Sequence, residues 1–311
     1  MRYDDYAYAV GNIRANEYKR LTGAELRQLL TLSSADDITR ELGVRGISLE
    51  REQALNYIRK LSEENAVFDV FLMRNDFHNM KTAIKGRVSN QDISALLMYP
   101  SMVSIETIQN CVAIGDFSIL PIWIREAAEQ AFHIVAKTND GQQCDIILDT
   151  SYFRVMQDYA KKSKNVFIIE LTEKMVVFFN LKAVLRAFLS KKTVDFIQTI
   201  LVVCSTFDIN KLAHAATNKE NLGLFLASHG FNEAVRALDE YEAMAAFEIY
   251  CDNEILHFVD TVKYEPFGIE PLIGYLIYQE MQQKNIQILL AGKRANLPDD
   301  KLLERMRWTY A

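Results

Sequence analysis

The chain has 311 residues, half of them apolar and 24% charged, with a formal net charge of -6. That much apolar surface excludes a disordered chain and suffices for two or three domains. The acidic balance argues against a general nucleic-acid binder, which relies on clustered Lys and Arg. With only 12 Gly and 5 Pro, the chain has too little turn chemistry for an all-β fold, so long helices are expected.

The opening MRYDDYAYAVGNIR has no apolar core of signal-peptide length, which predicts a chain that stays in the cytosol. Tyr3, Tyr6, Val10, Ile13 and Leu21 form one helical stripe. Thr22 followed by Glu25 reads as a capping box, opening a helix that turns Leu26, Leu29 and Leu30 to the core. Further on, Leu72-Met-Arg-Asn-Asp-Phe-His-Asn-Met-Lys81 is unusually polar between Val67, Phe68, Val70, Phe71 and Ile84. Asp76, His78 and Asn79 are expected to satisfy one another, nearby helix ends or an adjacent bundle. Asp76 and His78 lie about 200 degrees apart on a helix, which argues against an acid-base pair.

Phe132 to Ala136 and Cys144 to Leu148 flank Thr138-Asn-Asp-Gly141, hairpin chemistry between runs that also satisfy helical periodicity. The reading is two helices and a turn. Pro266-Phe-Gly-Ile-Glu-Pro-Leu272 reads as a turn into a helix beginning near Pro271, with Glu270 at the positive end of its dipole. Between Lys284 and Arg307, the cations Lys284, Lys293, Arg294, Lys301, Arg305 and Arg307 outnumber Asp299, Asp300 and Glu304, and read as a solvated helix face.

Three segments align when the chain is compared with itself: Asn79-Met-Lys-Thr-Ala-Ile-Lys-Gly86-Arg87, Asn180-Leu-Lys-Ala-Val-Leu-Arg-Ala187-Phe188 and Asn285-Ile-Gln-Ile-Leu-Leu-Ala-Gly292-Lys293. The Asn positions are 101 and 105 residues apart. Ile147-Leu-Asp149-Thr150-Ser-Tyr-Phe153 likewise resembles Phe258-Val-Asp260-Thr261-Val-Lys-Tyr264, with an Asp-Thr step suited to beginning a helix. Three helical bundles are therefore expected, over 1-105, 106-208 and 209-311, with pseudo-threefold symmetry. The middle copy departs from the others, with Phe179 before its Asn180 and Ala187 where the others have Gly.

The motifs of familiar chemistries are missing. Gly292-Lys293 lacks the earlier Gly of a phosphate-binding loop, and HExxH, GxSxG and GxGxxG do not occur. The five histidines, His78, His133, His214, His229 and His257, are far apart in sequence. Cys111, Cys144, Cys204 and Cys251 form no CxxC pair and read as free, mostly buried thiols. No apolar run reaches the roughly 20 residues of a membrane span. No catalytic residue, metal site, cofactor or small-molecule substrate is expected.

RNDFHNMKTAIKG at 74-86, FGIEPLIGYLIYQEMQQKNIQILLAGKRANLP at 267-298 and the N-terminal YAYAVGNIRANE together resemble the C subunit of the rotary V/A-type ATPases, whose eukaryotic equivalent is the d subunit. The resemblance spans the chain. It implies an all-helical funnel that seats the central shaft, built of D- and F-type subunits, on the membrane ring of proteolipid (c/K) subunits. It further implies a peripheral, non-enzymatic role on the cytoplasmic side of the membrane. It marks Arg74, Asn75, Asp76, His78, Asn79, Lys81, Asn180, Phe267, Gly268, Glu270, Pro271, Gly274, Asn285, Gly292 and Lys293 as residues of structural or partner-binding importance. The competing readings are a helical scaffold or adaptor of another assembly, and an enzyme whose site is assembled only in space.

Overall fold

In the computed structural model, residues 6-17, 20-47, 52-61, 66-238 and 243-308 are described; among them the fold is all-α, with no strand. The helices are α1 (Ala7–Ala15), α2 (Gly23–Leu30), α3 (Ala35–Val44), α4 (Glu52–Leu61), α5 (Ala66–Ser89), α6 (Ile105–Ile114), α7 (Ile122–Thr138) and α8 (Gly141–Ser163). There follow α9 (Val166–Leu189), α10 (Val194–Thr199), α11 (Ile209–Ala215), α12 (Lys219–Ser228), α13 (Asn232–Arg236), α14 (Ala243–Asp260), α15 (Glu270–Arg294) and α16 (Asp299–Leu303).

Local chemistry sets many of the boundaries. Thr22 and Glu25 form the expected capping box: the Glu25 N-H donates to the Thr22 hydroxyl at 3.2 Å, and the Thr22 N-H donates to the Glu25 carboxylate at 2.8 Å. Ser34, Ser104, Asp140, Asn165, Thr193 and Asp208 cap α3, α6, α8, α9, α10 and α11 in the same general way. The Asn-Asp-Gly turn joins two helices as expected. Asn139 ends α7 with φ 55°, and the Asp140 carboxylate accepts the N-H groups of Gln142 and Gln143. Pro271 sits in the first turn of α15 beside Glu270.

One local expectation fails. Asp149-Thr150 lies inside α8, and Asp260-Thr261 closes α14, so neither pair begins a helix. Both threonine hydroxyls turn back onto carbonyls of their own helix, Thr150 to Ile146 at 2.7 Å and Thr261 to Phe258 at 2.7 Å. That backbonding is the alternative to capping for a threonine inside a helix, as Thr150 is, or at its C-terminal end, as Thr261 is.

The described residues fall into two compact units, one within 1-63 and 226-311, the other within 64-225. In the first, α15 packs against α1, α3, α4 and α14. Its core joins Leu26, Leu29, Leu30, Ile38 and Leu42 to Ile286, Leu289 and Leu302, all 3% exposed or less. Each such side chain contributes about 1.5-3 kcal/mol on burial. Tyr6, Val10, Ile13 and Leu21 are buried as the opening stripe requires, whereas Tyr3 lies outside the described residues. Arg20, 8% exposed, lies 5.0 Å from the ring centres of both Tyr275 and Tyr278.

In the second unit α5 packs against α6, α7 and α8, and α9 against α8. Phe77 is centred here, 5.9 Å from Trp123 and 5.8 Å from Tyr152. Two ion pairs fix the antiparallel register of α5 and α8: Lys81 to Asp149 at 2.5 Å and Lys85 to Asp145 at 2.6 Å. All four cysteines are free; Cys111, Cys144 and Cys251 are buried and Cys204 is half-buried.

Candidate functional site

The three repeated asparagines occupy one kind of place. Asn79, Asn180 and Asn285 stand in the three longest described helices, α5, α9 and α15, and each is 0% exposed. Each carboxamide grips a single residue of a later segment from both sides. The Asn79 amide donates to the Met98 carbonyl at 2.9 Å, and its oxygen accepts the Met98 N-H at 2.8 Å. Asn180 makes the same pair with Val202 at 2.7 and 2.9 Å, and Asn285 with Arg307 at 3.1 and 2.8 Å. A carboxamide supplies a donor and an acceptor side by side at any pH, whereas an ionised Asp offers acceptors alone and Leu neither.

The helix ends repeat in register with the clamps. Asn90, Lys191 and Asn296, each eleven residues after its asparagine, take the left-handed conformation at φ 51°, 52° and 53°. The next N-H in each copy, from Gln91, Lys192 or Leu297, donates to the carbonyl of Gly86, Ala187 or Gly292 at 3.3, 2.9 and 2.9 Å. This is the six-to-one bond of a Schellman ending, and it turns the chain back toward its clamp. An ideal Cβ on Gly86 would collide with the Ile93 side chain, and one on Gly292 with that of Leu302, while Ala187 already carries its methyl.

The residue after each glycine also acts alike in the outer copies. Arg87 donates to the Val112 and Ala113 carbonyls at the end of α6, and Lys293 to the Leu30 carbonyl at the end of α2, at 2.6 Å. A cation there meets the negative end of the helix dipole. In the middle copy the residue is Phe188. Lys293 also pairs with Asp299 at 2.8 Å and is 12% exposed, and Arg307 is 13% exposed beside Asp252, so these two leave the solvated face expected of the C-terminal cations.

The polar run at 74-81 is explained by the segment it holds. Asn75 donates to the Pro100 carbonyl at 2.7 Å, and the His78 ring bonds the Leu96 carbonyl at 2.9 Å. The Asp76 carboxylate accepts the N-H groups of Val103 and Met102 at 2.8 and 3.1 Å. These side chains thus bond backbone rather than one another. Burial pushes the Asp76 carboxyl up from 3.8 to about 6, against the opposing pull of those two N-H donors. Arg74 is half-buried in the same helix, and Lys81 holds Asp149.

The second motif places Gly268 at φ 88°, where a Cβ would strike the Glu270 carboxylate. Gly274 is buried, and a Cβ there would meet Val259 and Val262 only at ordinary van der Waals distance; Pro271 is buried while Phe267 and Glu270 are half-buried. Sequence reasoning missed Glu173, whose carboxylate accepts the N-H groups of Ser205 and Thr206 at 2.7 and 2.8 Å. It precedes its asparagine by seven residues, whereas Asp76 precedes its own by three, so no fixed spacing revealed it. Asp252 and Asn253 were missed too, since they stand on a different helix from Asn285.

Nothing among the described residues gathers three or more His, Cys, Asp or Glu as a metal site would. A cavity of about 310 Å³ between α5 and α6 is lined by Ala83, Arg87, Ile93, Gln109, Val112 and Ala113, with no carboxylate, histidine, hydroxyl or thiol among them. No helix among the described residues is long and apolar enough to cross a membrane.

These features define an all-helical protein in which three long helices carry the same asparagine clamp and the distinctive polar groups hold its own backbone. The chain belongs to the ATP synthase (C/AC39) subunit family, whose model matches residues 47-305. It is 22% identical to the C subunit of the V-type sodium ATPase of Enterococcus hirae, over 85% of this chain and 81% of that one. It is 23% identical to the C subunit of the A-type ATP synthase of Haloquadratum walsbyi, over 96% and 92% of the two chains. With the C subunit of the Methanosarcina acetivorans A-type ATP synthase the identity is 22%, over 97% and 92%. The resemblance read from the motifs at 74-86 and 267-298 is to this family.

Proposed function

We propose that the chain is a non-catalytic central-stalk subunit of a rotary V/A-type ATPase, seating the D- and F-type shaft subunits on the membrane proteolipid ring. The observation that carries this reading is the family match over residues 47-305, joined to relatives named as C subunits of ATPases and ATP synthases that align along most of their length. Three copies of one clamp support the division into bundles at 1-105, 106-208 and 209-311, with the N-terminal helices α1, α3 and α4 packing across onto α15 of the third, and the pseudo-threefold funnel goes with that division. A peripheral position on the cytoplasmic side of the membrane follows from the same role.

A coupling that transmits torque must not slip. Nanomolar attachment corresponds to about 12 kcal/mol, which asks for large, well-packed contacts at both shaft and ring. The polar residues conspicuous in the sequence hold the protein's own backbone, which suits a part required to be stiff. The test is reconstitution without this chain. ATP hydrolysis by the head should persist while ion pumping is lost, and adding the purified chain should restore pumping. Normal pumping in vesicles that lack it, or ATP hydrolysis by the isolated chain, overturns the reading.

A further inference from the structure

The three clamped segments share backbone contacts but differ in what anchors their side chains. In the middle copy Ile200, Leu201 and Val202 are 8%, 2% and 1% exposed. In the first, Val103 is buried and Asp76 takes two of the segment's N-H groups. In the third, no residue from 303 to 308 is buried, and its apolar hold is Met306 at the edge of the core. Polar contacts replace the missing anchor. Arg307 Nε donates to Asp252 at 2.9 Å, and Lys284 reaches the same carboxylate oxygen at 3.0 Å. The Trp308 N-H donates to Asn253 at 2.7 Å, and its ring stands 5.4 Å from that of His257.

We propose that the surface formed by Asn285, Asp252, Asn253 and His257 is a binding seat for an extended peptide offering a guanidinium followed by an aromatic ring. Residues 305-308 fill it as a releasable latch, and a second segment of that chemistry fills it in trans. Segments with little buried apolar surface open at low cost, independently of global unfolding. When this one leaves, it uncovers a carboxamide that binds any backbone, an acid matched to a guanidinium, and an amide oxygen and a ring matched to an aromatic residue. The inference concerns α14 and α15 alone and does not depend on the coupling role.

Two measurements on the full chain test it. In native-state hydrogen exchange the Arg307 and Trp308 amides should exchange at least about tenfold faster than that of Val202. Asp252→Asn should accelerate them by about tenfold again, the factor typical of a charge-assisted hydrogen bond. An unchanged Leu289 amide, in the core of the same unit as Asp252, shows in the same sample that the variant is folded. A fluorescent peptide with the sequence of residues 299-308 should bind the Arg307→Ala/Trp308→Ala protein at least about tenfold more tightly than the wild type, because the competing latch is weakened. Adding Asn285→Ala should abolish that gain. Arg307 protection equal to that of Val202 overturns the latch, and equal peptide binding by wild type and double variant overturns the seat.

Discussion

Replacing Asn180 with alanine tests the clamp where it is driest. Asn180 is 0% exposed and Val202 is 1% exposed, so water cannot replace the two hydrogen bonds that the carboxamide makes. Truncation leaves one backbone N-H and one carbonyl buried without a partner, each costing about 1-3 kcal/mol. The sum is about 4 kcal/mol, or a fall in Tm of roughly 10 °C for a unit of this size. Urea unfolding followed by circular dichroism measures it. Asn180→Asp should fare no better near neutral pH, because it keeps the acceptor for the Val202 N-H but turns a carboxylate oxygen onto the Val202 carbonyl. At the third clamp Arg307 is only half-buried, so Asn285→Ala should cost about 1 kcal/mol. A loss below about 1 kcal/mol at Asn180, or equal losses at both sites, would refute the reasoning.

Gly86→Val and Gly292→Val should each destabilise by about 1-3 kcal/mol, since the new side chain collides with Ile93 or Leu302, measured by the same unfolding. Asp76 carries a folded-state pKa raised from 3.8 to about 6, so the fold binds its proton more tightly than the unfolded chain does. Its stabilising contribution is complete below about pH 4 and is lost as pH rises through 6, by up to about 3 kcal/mol. The stability difference between wild type and Asp76→Asn should change across that window, and a pH-independent difference would contradict it. Cys144, whose thiol burial pushes up to about 12, should resist a thiol reagent in the native protein, while half-buried Cys204 reacts first; mass spectrometry of the labelled peptides checks the order.

Much of this protein is legible in one dimension because its signals are local. The capping box at Thr22 and Glu25, the Asn-Asp-Gly turn and the proline start of α15 depend on atoms a few residues apart, so sequence alone places them. The asparagine repeat is legible for a related reason: a buried carboxamide at a fixed distance from a left-handed helix ending leaves the same residue pattern each time. What each asparagine does was not legible, because its partner stands 19 or 22 residues ahead in a segment whose side chains share no pattern. A bond to backbone puts no demand on the partner's residue type, so Met98, Val202 and Arg307 can be unlike. The Asp-Thr steps misled for the converse reason, since a capping pair and a helix-interior pair look the same until the flanking backbone is known. Composition and periodicity determined that the chain is helical and repeated. Tertiary structure alone decided that its most conspicuous polar side chains face inward to hold the backbone, where burial leaves them no water to bond.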